Sequence, residues 1–129
     1  MNFEIKKNDW AGFFESLSKR RYEWKIKVEV LNPDMGDQTL TDGLPLNGVT
    51  VETRGDHTSL DISVGGNTDV HQTHNIKNPT SVTLLSETDS TGDVIDIEED
   101  DGTKTLISFI EPISVIVGFS GVNLIVTAA

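Results

Sequence analysis

Residues 22–30 have the sequence Tyr-Glu-Trp-Lys-Ile-Lys-Val-Glu-Val, in which large apolar side chains alternate with charged ones. A period of two is typical of a β-strand with one face in the core and the other in water. Asn32, Pro33 and Gly36 follow this stretch. Proline removes an amide donor and glycine permits positive φ, so the pattern predicts a half-buried strand that ends in a turn.

The segment before this strand has the period of a helix. Four large apolar residues at i, i+3, i+4 and i+7 extend from Trp10 to Leu17 and share one face. Asn8 or Asp9 can cap the start, and three cations at the other end favour the negative pole of the helix dipole. We therefore predict a helix over residues 9–19 whose aromatic stripe packs in the core. The alternative is a helix that binds a partner.

Apolar residues after the first turn predict further strands. The stretch 40–51 is interrupted by Gly43, Pro45 and the pair Asn47-Gly48, which indicates a bent or bulged strand or a tight hairpin. Arg54-Gly55-Asp56 separates two alternating runs and predicts the turn of a hairpin.

The second half of the chain continues this pattern. Residues 65–80 are rich in Gly, Asn, Thr and His, and predict a loop or a short irregular helix. Three more strands are predicted over residues 82–85, 94–97 and 104–110, with Asp101-Gly102 as the turn between the last two.

These elements predict one mainly β (α+β) domain over residues 1–112. We expect the helix 9–19 to pack on a curved, mostly antiparallel sheet or small barrel of about five to seven strands, because both apolar faces need a partner layer.

Residues 113–129 form an uncharged apolar extension. As a helix this extension would span about 25 Å, against about 30 Å for the hydrocarbon core of a bilayer, and Gly118 and Gly121 interrupt it. We therefore predict strands over 114–119 and 122–127 that pair with another copy or pack on the domain's own sheet. A membrane anchor is the alternative.

Composition excludes several classes of protein. The net charge of −11 would repel nucleic acid, so we expect no nucleic-acid partner. Residues 1–27 carry seven basic and four acidic side chains, whereas 28–129 carry three and 17. The absence of cysteine excludes disulfides and thiol chemistry. The start of the chain has no apolar run, so we expect a cytoplasmic protein.

A small group of residues is a candidate for chemistry. His71 and His74 are three residues apart and Asp69 is nearby, so a helical turn would place two imidazoles and a carboxylate around one metal ion or supply a general base. A structural zinc site needs a fourth ligand, and no nucleophile motif accompanies the histidines. We therefore expect solvated loop histidines, with no metal and no cofactor.

The segment between Lys77 and Lys104 contains eight carboxylates and no cation. Calcium prefers oxygen ligands, but residues 89–93 lack the alternating acids and closing glutamate of an EF-hand loop. The segment therefore predicts a hydrated acidic hairpin.

Several short motifs are similar to those of a known family. They are Trp10 with Phe13-Phe14, Val28-Glu29-Val30, Gly36-Asp37-Gln38, Leu44-Pro45-Leu46 before Gly48-Val49, His74-x-Ile76-x-x-Pro79-x-x-Val82, and Ile95-Asp96-Ile97 leading to Asp101-Gly102-Thr103. Over residues 9–111 the chain resembles a family of small uncharacterised bacterial proteins, frequent in photosynthetic bacteria and known only as a domain of unknown function. The resemblance implies no site residue, since none is established for that family, and the tail after Pro112 departs from its pattern.

The function that requires the fewest specific sequence motifs is that of a non-catalytic protein-interaction or binding module. Its partner would be an unidentified protein, or a second copy bound through the C-terminal extension. The alternatives are a small metal-dependent enzyme using Asp69, His71 and His74, and a peripheral membrane protein tethered by residues 113–129.

Overall fold

The computed structural model describes residues 2–66, 68–86 and 93–111, together with the backbone of 114–119 and 122–127. In chain order the elements are β1 (Asn2–Ile5), a 3-10 turn (Lys7–Asp9), α1 (Trp10–Arg20), β2 (Lys25–Asn32), β3 (Gly36–Arg54), β4 (His57–Val64), β5 (Gln72–Lys77), β6 (Pro79–Leu85), β7 (Val94–Glu99), β8 (Lys104–Glu111), β9 (Ser114–Phe119) and β10 (Val122–Thr127).

Eight of these strands form one antiparallel sheet in the order β1-β6-β7-β8-β2-β3-β4-β5. The sheet is curled but not closed, since β1 and β5 are its two edges. Mainly β architecture with one N-terminal helix is thus confirmed, and the sheet gains β1 and β5, which the sequence did not predict.

The curl of the sheet comes from β3, whose first half pairs with β2 and whose second half pairs with β4. The ladder with β2 skips Leu40 and Gly43, and the ladder with β4 skips Asn47. Each skipped residue is a bulge, which bends a strand and increases its twist. Gly43 has φ +97°, a conformation that glycine adopts without strain. The apolar stretch 40–51 therefore lies within one bent strand, and not in a tight hairpin.

Helix α1 packs on the second half of β3. The predicted apolar stripe is confirmed: Trp10, Phe14 and Leu17 are buried, and Phe13 packs half-buried against the same core. Asp9 occupies the N-cap position but its side chain makes no capping hydrogen bond. A 3-10 turn closed by Asp9 N–H to Lys6 O at 2.8 Å precedes the helix.

Ser18 connects the helix to the sheet. Its hydroxyl donates to the Phe14 carbonyl at 2.6 Å and accepts from the Val49 amide at 2.9 Å. A Cβ on Gly48 would lie 3.4 Å from the Ser18 Oγ, so a residue without a side chain suits this close approach.

The first predicted strand begins later than the alternation indicated. Trp24 is buried, but Tyr22 is 52% exposed, because residues 21–23 form a turn in which Glu23 has φ +64°. The predicted turns at 54–56 and 101–102 are confirmed.

The region 65–80 was predicted as loop or irregular helix, and this is wrong for its second half. Residues 72–77 form β5, which pairs with β4, and β6 begins at Pro79. Polar residues dominate this stretch because β5 is an edge strand with one face in solvent.

The C-terminal extension forms a second, two-stranded antiparallel sheet of β9 and β10. These strands coincide with the two that were predicted over 114–119 and 122–127. Residues 120 and 121, between these strands, lie outside the described residues, and what the extension packs against stays a prediction. Among the described residues, no helix is long and apolar enough to cross a membrane.

Gly65 directly follows β4 and has a conformation that requires glycine. Its φ is +126°, and a Cβ there would overlap the Val70 carbonyl and lie 2.9 Å from His71 Nδ1. We expect Gly65→Ala to lower the free energy of unfolding by at least about 1–3 kcal/mol. The control is Gly12→Ala in α1, where nothing lies within 4 Å of the added methyl and about 0.5–1 kcal/mol of stabilisation is expected. Urea unfolding curves measure both, and equal midpoints for the two variants would contradict the prediction.

Candidate functional site

Residues of β2, β3, β4 and β5 line a mostly apolar cleft of about 400 Å³. Small organic ligands occupy pockets of about 300–1,000 Å³ that are lined by apolar side chains with a few convergent polar groups. The lining residues are Val28, Leu40, Thr41, Ile62, Val64, Gln72, Thr73 and His74.

Strand register brings these residues together from distant parts of the chain. Val28 pairs with Thr41 across β2 and β3, and Ile62 pairs with His74 across β4 and β5. Leu40 is the bulged residue beside Thr41, so it leaves the regular alternation and also reaches the cleft. The bulge that bends β3 therefore also supplies one apolar wall.

His74 is the titratable residue of the cleft. Its Nε2 lies 3.4 Å from the hydroxyl of Thr105, a fully buried residue of β8. Burial lowers the pKa of His74 by disfavouring the charged ring, and the nearby Asp61 carboxylate opposes this shift. The imidazole is therefore neutral at pH 7, with one donor and one acceptor nitrogen.

Thr41 adds a second polar group to the cleft. The residue is 6% exposed, and its hydroxyl has no hydrogen-bond partner among the described residues. A buried polar group without a partner costs about 1–3 kcal/mol, so such groups call for an explanation. A ligand in the cleft would explain the unpartnered hydroxyl of Thr41, because the hydroxyl can rotate and form a hydrogen bond with a polar group of that ligand.

No aspartate, glutamate, lysine or arginine is among the eight lining residues. The charged side chains that the structure describes therefore lie outside the cleft. The arrangement suits an uncharged molecule, because a charged one would lose its hydration without gaining a counter-charge.

The lowered pKa of His74 has a measurable consequence. We expect its ring to titrate below the usual value of about 6.5 in an NMR pH series. Because the unfolded chain then binds a proton more readily than the native one, the contribution of His74 to stability is complete above about pH 6.5. It is lost as pH falls from there towards the native pKa. His74→Gln should remove this contribution to the pH dependence of stability. A His74 ring that titrates at or above 6.5 in the native protein would contradict the prediction.

The structure does not bring Asp69, His71 and His74 together as metal ligands. In the described part of the chain, no group of three His, Asp or Glu side chains is placed to hold a metal ion. The predicted site assumed a helical turn, whereas His74 lies in β5 and His71 directly precedes that strand. Residues three apart in extended chain point to opposite faces, so the spacing separates the two rings. His74 lines the cleft, and His71 lies beside Gly65.

A second groove of similar volume lies on the solvent face of β3, β4 and β5 and is polar. Its residues include Arg54, His57 and Lys77, and the Arg54 guanidinium contacts the Glu52 carboxylate at 2.7 Å. This ion pair is well exposed, and such pairs contribute little energy and order little structure. The groove is therefore a weaker candidate than the cleft.

The described part of the acidic segment contributes no site of its own. Asp96 and Glu99 have raised pKa values because burial disfavours their charged forms. Asp96 alternates with the buried Ile95 and Ile97, so it faces away from the core and from the cleft. Residues 87–92, which include most of the segment considered for calcium, lie outside the described residues.

Sequence reasoning identified His74 but gave it another role, and it missed Thr41, Gln72 and Thr105. An isolated threonine carries no signal of burial, and Gln72 lies in the strand that was not predicted. Two features of the sequence could have indicated the walls of the cleft. They are the alternation of apolar and polar residues in β4 and the interrupted apolar pattern near Leu40.

The structure thus defines a small curled β-sheet protein with a half-open apolar cleft and a neutral histidine in its wall. Residues 1–116 match the family of unknown function DUF5335, and the chain belongs to this family. The expectation of a family of unknown function over residues 9–111 is confirmed, and the matched region also includes β1. No curated protein and no solved structure matches the chain.

Proposed function

We propose that this protein is a non-catalytic binding module that holds a small, uncharged, mostly apolar molecule in the cleft between β2, β3, β4 and β5. The observation that carries the proposal is the lining itself. It combines apolar side chains, a neutral histidine and an unpartnered buried hydroxyl, and it contains no charged group. This combination is typical of small-molecule sites.

The contact of His74 supports binding over catalysis. A histidine base activates a nucleophile by accepting its proton, and the hydroxyl beside this ring belongs to Thr105. Thr105 is fully buried, so its oxygen is not placed to attack a substrate in the cleft. The imidazole is therefore suited to hold a ligand by a hydrogen bond.

Two further expectations remain proposals. A protein partner, or a second copy bound through residues 113–129, is compatible with a ligand in the cleft, because the extension forms its own sheet. A cytoplasmic location likewise stays a prediction, for which the absence of cysteine is the support.

Filling the cleft tests the proposal. Leu40 is half-buried in its wall, so Leu40→Trp should occupy the space that the ligand needs. The matched control is Leu31→Trp, a half-buried leucine of β2 that does not line the cleft. The probe is 1-hexanol, followed by the methyl NMR signals of the native protein and both variants.

We expect native protein and Leu31→Trp to bind 1-hexanol with Kd on the order of 1 mM, as is usual for so small a ligand. Leu40→Trp should weaken this binding by about tenfold or more. Equal affinities for the two folded variants would show that the ligand lies elsewhere, and the proposal would fail.

A further inference from the structure

We propose that the cleft selects a neutral amphiphile bearing a hydroxyl group, and that the imidazole of His74 binds that hydroxyl while the chain of the ligand lies on Val28, Ile62 and Val64. This inference rests on the proposed function and adds the chemical class of the ligand. It assigns His74 as the residue that determines specificity.

One side of the cleft is polar and the other is apolar, and the inference is based on this difference. Gln72 and His74, which share one face of β5, provide a polar side. The opposite side and the floor come from β2, β3 and β4 and consist of aliphatic side chains apart from Thr41. A molecule that fits both sides has an apolar body and a polar group directed at β5.

His74 is the most suitable anchor on the polar side. Its contact with Thr105 holds the ring in place, because Thr105 is a fully buried residue of β8. A neutral imidazole has two ring nitrogens, and the contact to Thr105 uses Nε2. The second nitrogen is left for a ligand, and a hydroxyl suits either tautomer because it both donates and accepts.

Charge distinguishes an alcohol from the related acid and amine. A carboxylate in the cleft would meet a neutral ring and no cation among the lining residues, in a chain with a net charge of −11. An ammonium group would find no carboxylate in the lining. Either ion would be desolvated without compensation, so only the neutral headgroup is accepted.

The test compares three probes of equal chain length, 1-hexanol, hexanoate and hexylammonium, at pH 7.5. Methyl NMR signals of Leu40, Ile62 and Val64 report occupancy of the cleft. We expect the alcohol to bind about tenfold or more tightly than either ion, a comparison that needs no variant. In His74→Phe the alcohol should lose about fivefold in affinity, which corresponds to one hydrogen bond. His74→Gln should retain more of it, since an amide still donates and accepts.

His57→Phe is the matched control, because His57 lies on the other face in the polar groove. Equal binding of hexanoate and 1-hexanol would overturn the inference, and so would an alcohol affinity that His74→Phe leaves unchanged. In either case, if the methyl NMR signals of the cleft still shift on addition of a probe, the cleft binds a ligand and the proposed function stands. If none of the probes shifts those signals, both the inference and the proposed function are wrong.

Discussion

Trp24→Ala is expected to lower the free energy of unfolding by about 3–5 kcal/mol, the range for a large aromatic removed from a packed core. Trp24 is 3% exposed and contacts Phe109 edge-to-face with ring centroids 6.2 Å apart. The guanidinium of Arg21 lies 4.0 Å from the centre of its ring. Removal of the indole therefore deletes an aromatic pair, a cation–π contact and a large buried volume.

The control for this variant is Tyr22→Ala. Tyr22 is an aromatic residue two positions earlier that is mostly exposed, so its loss should change stability by about 0.5 kcal/mol or less. Urea unfolding followed by circular dichroism measures both variants. A Trp24→Ala midpoint close to that of Tyr22→Ala would contradict the packing described here.

Asp93→Ala is expected to cost about 3–5 kcal/mol, because it removes the carboxylate that a buried guanidinium contacts. Arg21 and Asp93 lie 3.0 Å apart, with side chains only 9% and 14% exposed. Asp93 also accepts from the hydroxyl of Ser86 at 3.2 Å. Burial lowers the pKa of Arg21 and the Asp93 carboxylate opposes that shift, so the carboxylate stabilises the cation.

An exposed ion pair provides the comparison. Lys19 and Glu15 lie 3.4 Å apart on the surface of α1, so Glu15→Ala should change stability by about 0.5 kcal/mol or less. The double variant Arg21→Met/Asp93→Leu should be more stable than Asp93→Ala, because apolar side chains need no counter-charge in that position. Chemical unfolding of all three variants measures these differences. An Asp93→Ala variant as stable as Glu15→Ala would mean that the pair is not buried.

The main elements were predictable where burial imposes a strict period. α1 has a continuous apolar face, and β2 alternates because one of its faces lies in the core. β1 and β5 are edge strands with few buried residues, so hydrophobic periodicity does not reveal them. Their pairing depends on partners far along the chain, which local sequence does not specify.

The site was less predictable than the fold, because strand register creates it. Val28, Thr41, Ile62 and His74 are separated by more than ten residues each, and only the pairing of β2 with β3, β3 with β4 and β4 with β5 makes them neighbours. The hypothesis of a metal site failed for a related reason. It applied a helical period to His71 and His74, and the chain is extended there.

The most direct test of the proposed ligand site is an intermolecular NOE experiment on the native protein with 1-hexanol. Binding in the cleft predicts NOEs from the alkyl chain to the methyl groups of Val28, Ile62 and Val64, and from the carbinol protons to the ring of His74. NOEs only to exposed apolar residues, such as Phe3, Met35 and Ile110, would place the alcohol on the surface and contradict the account.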